Sequence, residues 1–195
     1  MTLLIAGLIL FIATHSLRIF ADDWRSRMVS KIGPMPWKGL VSVASLVGII
    51  LMSKGYAAAR AAPVLLWQSP VWMSHLVSLL MLVAFILFIA AYVPKNVIKA
   101  RLGHPMIISV KIWAFGHLLA NGTVADLLLF GGLLAWAVMS FRAARQRDRR
   151  EGVTRVAGSA MPTVITVAVG AVIWAWFAFQ GHAWLIGVRP FAVGG

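Results

Sequence analysis

Six apolar runs, separated by short loops that carry most of the positive charge, limit what this chain can fold into. They cover residues 2–20, 39–53, 71–93, 106–120, 123–141 and 161–180. About 20 apolar residues in a helix cross roughly 30 Å of hydrocarbon. Inside a bilayer every backbone N–H and C=O must find a partner within the protein, which a helix achieves on its own. The pattern therefore predicts an all-α, polytopic transmembrane helical bundle of about six spans.

The composition supports membrane insertion and excludes several other classes of protein. Hydrophobic residues make up 61% of the 195 residues and charged residues 12%, with a mean hydropathy of +0.89. The chain has no cysteine, which excludes disulfides, thiolate metal sites and covalently attached c-type haem. The net charge is +13, but the cations lie in loops rather than on a base-reading face. We therefore expect a lipid bilayer as partner and no nucleic acid.

The lysines and arginines predict the orientation of the bundle. Fourteen of the 18 lie at or after the ends of the first, third and fifth runs. Because basic loops stay on the cytoplasmic side, this predicts six crossings with both termini outside. The fourth run is short and contains Lys111, and without its crossing the arginine-rich segment 142–155 would lie outside. We expect the first run to be a retained helix, since it lacks the charged n-region and cleavage site of a signal peptide.

Polar side chains within the apolar runs mark the candidate site. Placing such groups in hydrocarbon costs free energy, so those that occur there usually have a function. His15 is isolated on the first run. The others are concentrated between residues 103 and 132, and they are His104, Lys111, His117, Asn121 and Asp126.

The sequence Asn121-Gly122-Thr123 predicts a tight hairpin between the fourth and fifth runs, with a positive φ at the glycine. His117 lies five residues before Gly122 and Asp126 four residues after it, so the two are expected at nearly equal depth. A carboxylate beside an imidazole fixes its tautomer and makes it a better metal ligand. We predict such a pair here. The alternative is that Asp126 bonds the hairpin backbone or Lys111.

Three histidines are candidate ligands of a noncovalently held haem b, and two pairings remain open. His104 precedes Pro105 and is expected at a helix start, as a capping residue or in a polar stripe with Lys111. His104 and His117 are about 140° apart on a helix, so they do not face one iron together. Imidazoles from two helices commonly hold haem b. His15 with His117 is one such pair. The depths expected for these two differ by about 10 Å, so depth alone favours the pair of His15 with His104.

Three segments resemble the NnrU family of bacterial membrane proteins. They are THSLR at residues 14–18, GHPM at residues 103–106, and the block KIWAFGHLLANG at residues 111–122 with ADLLLFGG at residues 125–132. The resemblance covers residues 1–150, and residues 151–195 carry an additional C-terminal transmembrane span and a short tail. The family is related to plant 15-cis-zeta-carotene isomerase, a membrane enzyme that uses haem b with histidine axial ligands.

The resemblance implies that His15 and His117 are the axial ligands of a noncovalent haem b. Asp126 and His104 are then further cofactor-binding candidates, the first by pairing with His117 and the second as an alternative ligand. It also implies a location in the bacterial inner membrane and a role in denitrification, through nitrite and nitric oxide reductase activity. The isomerase has a cysteine near its second ligand that this chain lacks, so we expect no thiolate-based switch.

Two functions of different classes remain open. The first is a haem protein with redox or isomerase-like chemistry, or a sensor, whose ligand is a small gas such as nitric oxide or a polyene. The second is a non-enzymatic assembly or interaction factor for nitrogen-oxide reductases, in which the polar residues only pack the bundle. A looser resemblance to membrane isoprenylcysteine methyltransferases ranks third, because Gly122 replaces the proline of their Asn-Pro element.

Overall fold

Helices account for most of the apolar sequence in the computed structural model, which describes residues 1–191. In chain order they are α1 (Thr2–Phe20), α2 (Asp22–Ile32), α3 (Pro34–Arg60), α4 (Met73–Tyr92), α5 (Val97–Leu102), α6 (Pro105–Ala120), α7 (Val124–Arg150) and α8 (Ala160–Ile186). Five of them, α1, α3, α4, α7 and α8, are long and apolar enough to cross a membrane. The predicted all-helical fold is confirmed within the described residues, and these five helices suit a membrane by length and composition. A sixth crossing by α6, which is apolar but has 16 residues, stays a prediction.

The long helices pack in a row in the order α3, α1, α7, α6, α4, α8. Helix α6 is bonded to the rest of the bundle at both of its ends. Near its C-terminus the Leu119 carbonyl accepts a hydrogen bond from Ser69, and just before its N-terminus His104 bonds Asp148 of α7. In this order of helices, α7 lies between α1, which carries His15, and α6, which carries His117.

A short helix, α2, occupies the segment between the first two runs, where the sequence pattern predicts only a basic loop. Asp22 and Asp23 lie in its first turn, where a carboxylate interacts favourably with the helix dipole. The helix ends at Gly33, whose φ of 89° suits a residue without a Cβ. Trp24 of α2 packs edge to face on Trp37 of α3, with ring centroids 6.0 Å apart. Helix α2 is thereby held against the base of α3.

Glycines allow α1 and α3 to approach backbone to backbone. A Cβ at Gly7 of α1 would lie 2.6 Å from the amide nitrogen of Met52, and one at Gly55 of α3 would meet the backbone of Leu4. Small residues are typical of helix contacts in membranes, where burial of apolar surface alone does not drive association. Leu4 and Met52 form a buried cluster with Ala125, which joins α7 to the pair.

We expect Gly55→Val to separate α1 from α3, because the added side chain meets the Leu4 backbone, which cannot rotate away. Overpacking of a helix contact costs about 1–3 kcal/mol. The thermal unfolding temperature in detergent should fall. Gly39→Val is the matched control on the same helix, since a Cβ at Gly39 meets nothing within 4 Å. An equal loss in both variants would show that the effect comes from helix propensity and not from packing.

Candidate functional site

His15 lies on α1 with its ring fixed by α1 itself and by α7. Its Nδ1 donates to the carbonyl oxygen of Phe11 at 2.9 Å. The ring stacks on the Phe11 ring, with centroids 4.1 Å apart, and meets Trp136 of α7 edge to face at 5.8 Å. Because a carbonyl only accepts, Nδ1 carries the proton, and in the neutral ring Nε2 carries the lone pair that a metal needs. Nε2 forms no hydrogen bond to any residue between 1 and 191.

His117 repeats this arrangement on α6. Its Nδ1 donates to the carbonyl oxygen of Trp113 at 2.8 Å, and its ring lies 4.9 Å from the Trp113 ring. On α7 it contacts Phe130, with ring centroids 4.7 Å apart. Both histidines therefore bond the carbonyl of the residue four positions earlier, pack on that residue's aromatic ring and contact an aromatic ring of α7. This common geometry leaves both Nε2 atoms available.

The two rings contact α7 at different levels. Phe130 and Trp136 are six residues apart, which corresponds to a rise of about 9 Å along a helix. His15 therefore lies closer than His117 to the end of the bundle where α7 terminates in arginines. Within residues 1–191 the two imidazole rings do not contact each other. The depth difference that the sequence predicts is thus retained, and the two rings flank α7 rather than forming a preassembled pair.

Two buried polar atoms next to His15 have no hydrogen-bond partner within the part of the chain that the structure describes. They are Oγ of Ser16, the residue that follows His15, and Nε1 of Trp136, whose ring contacts His15. A buried polar group without a partner costs about 1–3 kcal/mol, so such groups commonly bond a ligand or water. Imidazoles with an available Nε2, aromatic rings and an unpartnered indole N–H are the donor types that fit a noncovalent haem b, although one iron would take both imidazoles only after their difference in level of about 9 Å had closed.

Asp126 forms no hydrogen bond with His117 in the described residues, so the predicted hydrogen-bonded pair is wrong. Its Oδ2 accepts from the amide N–H of Thr123 at 2.9 Å and from the Thr123 hydroxyl at 2.6 Å, and its own N–H donates to that hydroxyl. Its Oδ1 accepts from the hydroxyl of Tyr56 at 2.5 Å. The carboxylate therefore caps α7, which confirms the alternative that Asp126 bonds the hairpin. The Thr-x-x-Asp spacing of a capping box is the signal for this that the pairing argument missed.

Gly122 is needed because another backbone segment approaches it closely, and its φ is not positive. The amide groups of Leu66 and Trp67 both donate to its carbonyl, at 2.7 and 3.1 Å, and a Cβ on Gly122 would collide with the carbonyl oxygen of Trp67. Gly122 is not among the residues with positive φ. The hairpin between α6 and α7 is as predicted, but its glycine is needed because the segment between α3 and α4 crosses it.

His104 is already bonded to a charged partner. It directly precedes α6, as Pro105 predicts, and its Nε2 lies 2.9 Å from Oδ2 of Asp148, which also pairs with Arg155. Its ring meets Phe141 at 6.3 Å, and Nζ of Lys111 lies 4.7 Å from the centroid of that same ring. His104 and Lys111 thus both face Phe141 of α7, and the His104 side chain forms no capping hydrogen bond to α6. Because its Nε2 is used, His104 suits a metal less well than His15 or His117.

One comparison with known proteins gives a match. Residues 3–190 match the protein-family model described as NnrU protein, a range that includes α8 as well as the segments discussed above. No curated protein and no solved structure matches the chain.

Proposed function

Because the chain belongs to the NnrU protein family, we propose that it is a haem-b-binding membrane protein in which His15 and His117 are the axial ligands. The observation that carries the proposal is the geometry that the two imidazoles share. Each Nδ1 donates to the carbonyl four residues earlier, which leaves each Nε2 for iron. Six crossings of a bacterial inner membrane, with both termini outside, and a role in nitrite and nitric oxide reduction are parts of the same proposal.

The orientation of both side chains supports ligation. Histidines that bind metals almost always donate their second ring N–H to a carbonyl, carboxylate or water, which fixes the tautomer and raises the basicity of the ligating nitrogen. His15 and His117 already make this bond within apolar helices, where an imidazole without a role is expensive. Trp136 adds a buried N–H donor beside His15, which suits a polar atom of a bound ligand.

The residues of the chain bind, orient and shield the proposed cofactor. Such a haem would supply one-electron chemistry and an iron that a gas or a polyene could bind. The rings of Phe11 and Trp136 pack on His15, and those of Trp113 and Phe130 pack on His117, so each imidazole is held in one orientation for the cofactor. The cluster of His104, Asp148 and Arg155 holds α6 to the basic end of α7.

The test is the visible spectrum of the full chain in detergent, expressed with added haem precursor and recorded oxidised and reduced. We expect a low-spin b-type spectrum with sharp bands on reduction and roughly one haem per chain. Failure to develop a Soret band after haem supplementation would contradict the proposal. If the protein bound no haem and deletion of its gene still lowered nitrogen-oxide reductase activity in the cell, a non-enzymatic assembly factor would be favoured.

A further inference from the structure

A cavity of about 380 Å³ opens where the end of α1, the helix α2 and the beginning of α3 meet. Its walls carry Arg18 of α1, Arg25 of α2 and Lys38 of α3, together with Trp37, Ser42 and His15. The three cations come from three different helices, so the tertiary fold, and not one basic stretch, brings them to a single space.

The charges around this cavity are not balanced. Arg25 lies 3.6 Å from Asp22, which offsets one positive charge. The side chains of Arg18 and Lys38 form no ion pair or hydrogen bond with any of residues 1–191. Cations that converge on one space repel each other, and this repulsion is relieved when an anion binds between them. The cavity is therefore suited to a negatively charged group.

The surroundings of the cavity are those of a membrane interface. Trp24 and Trp37 pack together beside it, and indole rings prefer the headgroup level of a bilayer. Phe20 and Trp24 are 73% and 45% exposed, which indicates contact with lipid in this region. Basic pockets between transmembrane helices on the cytoplasmic side bind the headgroups of anionic lipids.

We propose that this cavity binds the phosphate of an anionic phospholipid. Arg18 and Lys38 pair with the phosphate oxygens, the hydroxyl of Ser42 is placed to donate to them, and the apolar flanks of α1 and α3 receive the acyl chains. The proposal does not depend on haem. It does place a lipid head against the wall that holds His15, so the lipid would stabilise the segment of α1 that carries this residue.

The experiment measures binding of short-chain lipids to the full chain in a neutral detergent by calorimetry. The probes are dihexanoyl phosphatidylglycerol, dihexanoyl phosphatidylcholine and inorganic phosphate. We expect the phosphatidylglycerol to bind at least about tenfold more tightly than the other two, which corresponds to about 1.4 kcal/mol, because the cationic choline of phosphatidylcholine is repelled by the basic side chains and inorganic phosphate has no acyl chains. The double variant Arg18→Gln/Lys38→Gln should lose this preference.

Two further variants control for fold and for nonspecific charge. Arg142→Gln/Arg145→Gln removes the same charge from the basic end of α7, outside the cavity, and should keep the preference. Arg18→Lys retains the charge in the cavity and should keep most of it. Equal affinity for both lipids, or an unchanged preference in Arg18→Gln/Lys38→Gln, would overturn the proposal. Inorganic phosphate binding as tightly as the phosphatidylglycerol would also overturn it, by showing a free anion as the ligand.

Discussion

Replacing either His15 or His117 with leucine is expected to abolish the low-spin spectrum of the haem-loaded protein. In the proposed site each imidazole would supply one of the two nitrogens bound to iron, so either variant would leave at most one histidine on the iron. Leucine keeps an apolar side chain of similar size against Phe11 or Trp113, so the helices should stay packed. We expect the haem content to fall by about tenfold or more, measured as the ratio of Soret to protein absorbance after purification.

His104→Leu is the matched control for these variants. It also removes an imidazole from the region of α6, but one whose Nε2 is bonded to Asp148. The low-spin spectrum should survive this change. If it were lost in His104→Leu and retained in His117→Leu, the pairing of His15 with His104, which depth along the helices favours, would replace the one proposed here.

Asp126→Ala is expected to cause the largest loss of stability among the changes considered. The aspartate accepts from the amide and hydroxyl of Thr123 and from the hydroxyl of Tyr56, and it is 3% exposed. Removal leaves these donors without an acceptor, at a cost of about 1–3 kcal/mol for each one that stays buried. It also removes half of the capping box that begins α7. The thermal unfolding temperature in detergent should fall sharply.

Tyr56→Phe separates the capping role from the contact between helices. It removes one donor and leaves both bonds from Thr123 in place, so we expect a loss of only about 1 kcal/mol. An equal loss in Tyr56→Phe and Asp126→Ala would show that the tyrosine, and not the cap, carries the stability. Because Asp126 forms no hydrogen bond with His117, the folded fraction of Asp126→Ala should keep its haem band positions. A shift of those bands would instead support the pairing predicted from sequence.

The apolar runs predict the class of fold because hydrocarbon imposes a local requirement. A run such as residues 2–20 has to bond its own backbone, and the observed α1 has the predicted bounds. The helix that contains residues 39–53 is longer than this apolar run and extends over Pro34–Arg60. Helix α3 therefore continues beyond the apolar residues at both ends. Hydropathy predicts which part of a helix lies in hydrocarbon, and it does not predict where the helix ends.

The haem candidates depend partly on local sequence and partly on helix packing. Hydropathy and residue type single out His15 and His117, since a histidine within an apolar run is conspicuous on its own. Their bonds to the carbonyls of Phe11 and Trp113 are also local, because both partners lie one helical turn earlier. That both rings then contact α7, at Trp136 and at Phe130, depends on the order in which the helices pack.

By itself, then, the sequence determined a helical membrane protein, the hairpin before α7 and the histidines worth testing, because each follows from hydropathy or spacing within one segment. Only the tertiary structure decided the polar partners. Asp126 bonds Tyr56 across 70 positions and His104 bonds Asp148 across 44, and the cationic cavity needs three helices to form. These partners depend on which faces of two helices meet and at what depth. The hydropathy pattern of a single run specifies neither the face nor the depth.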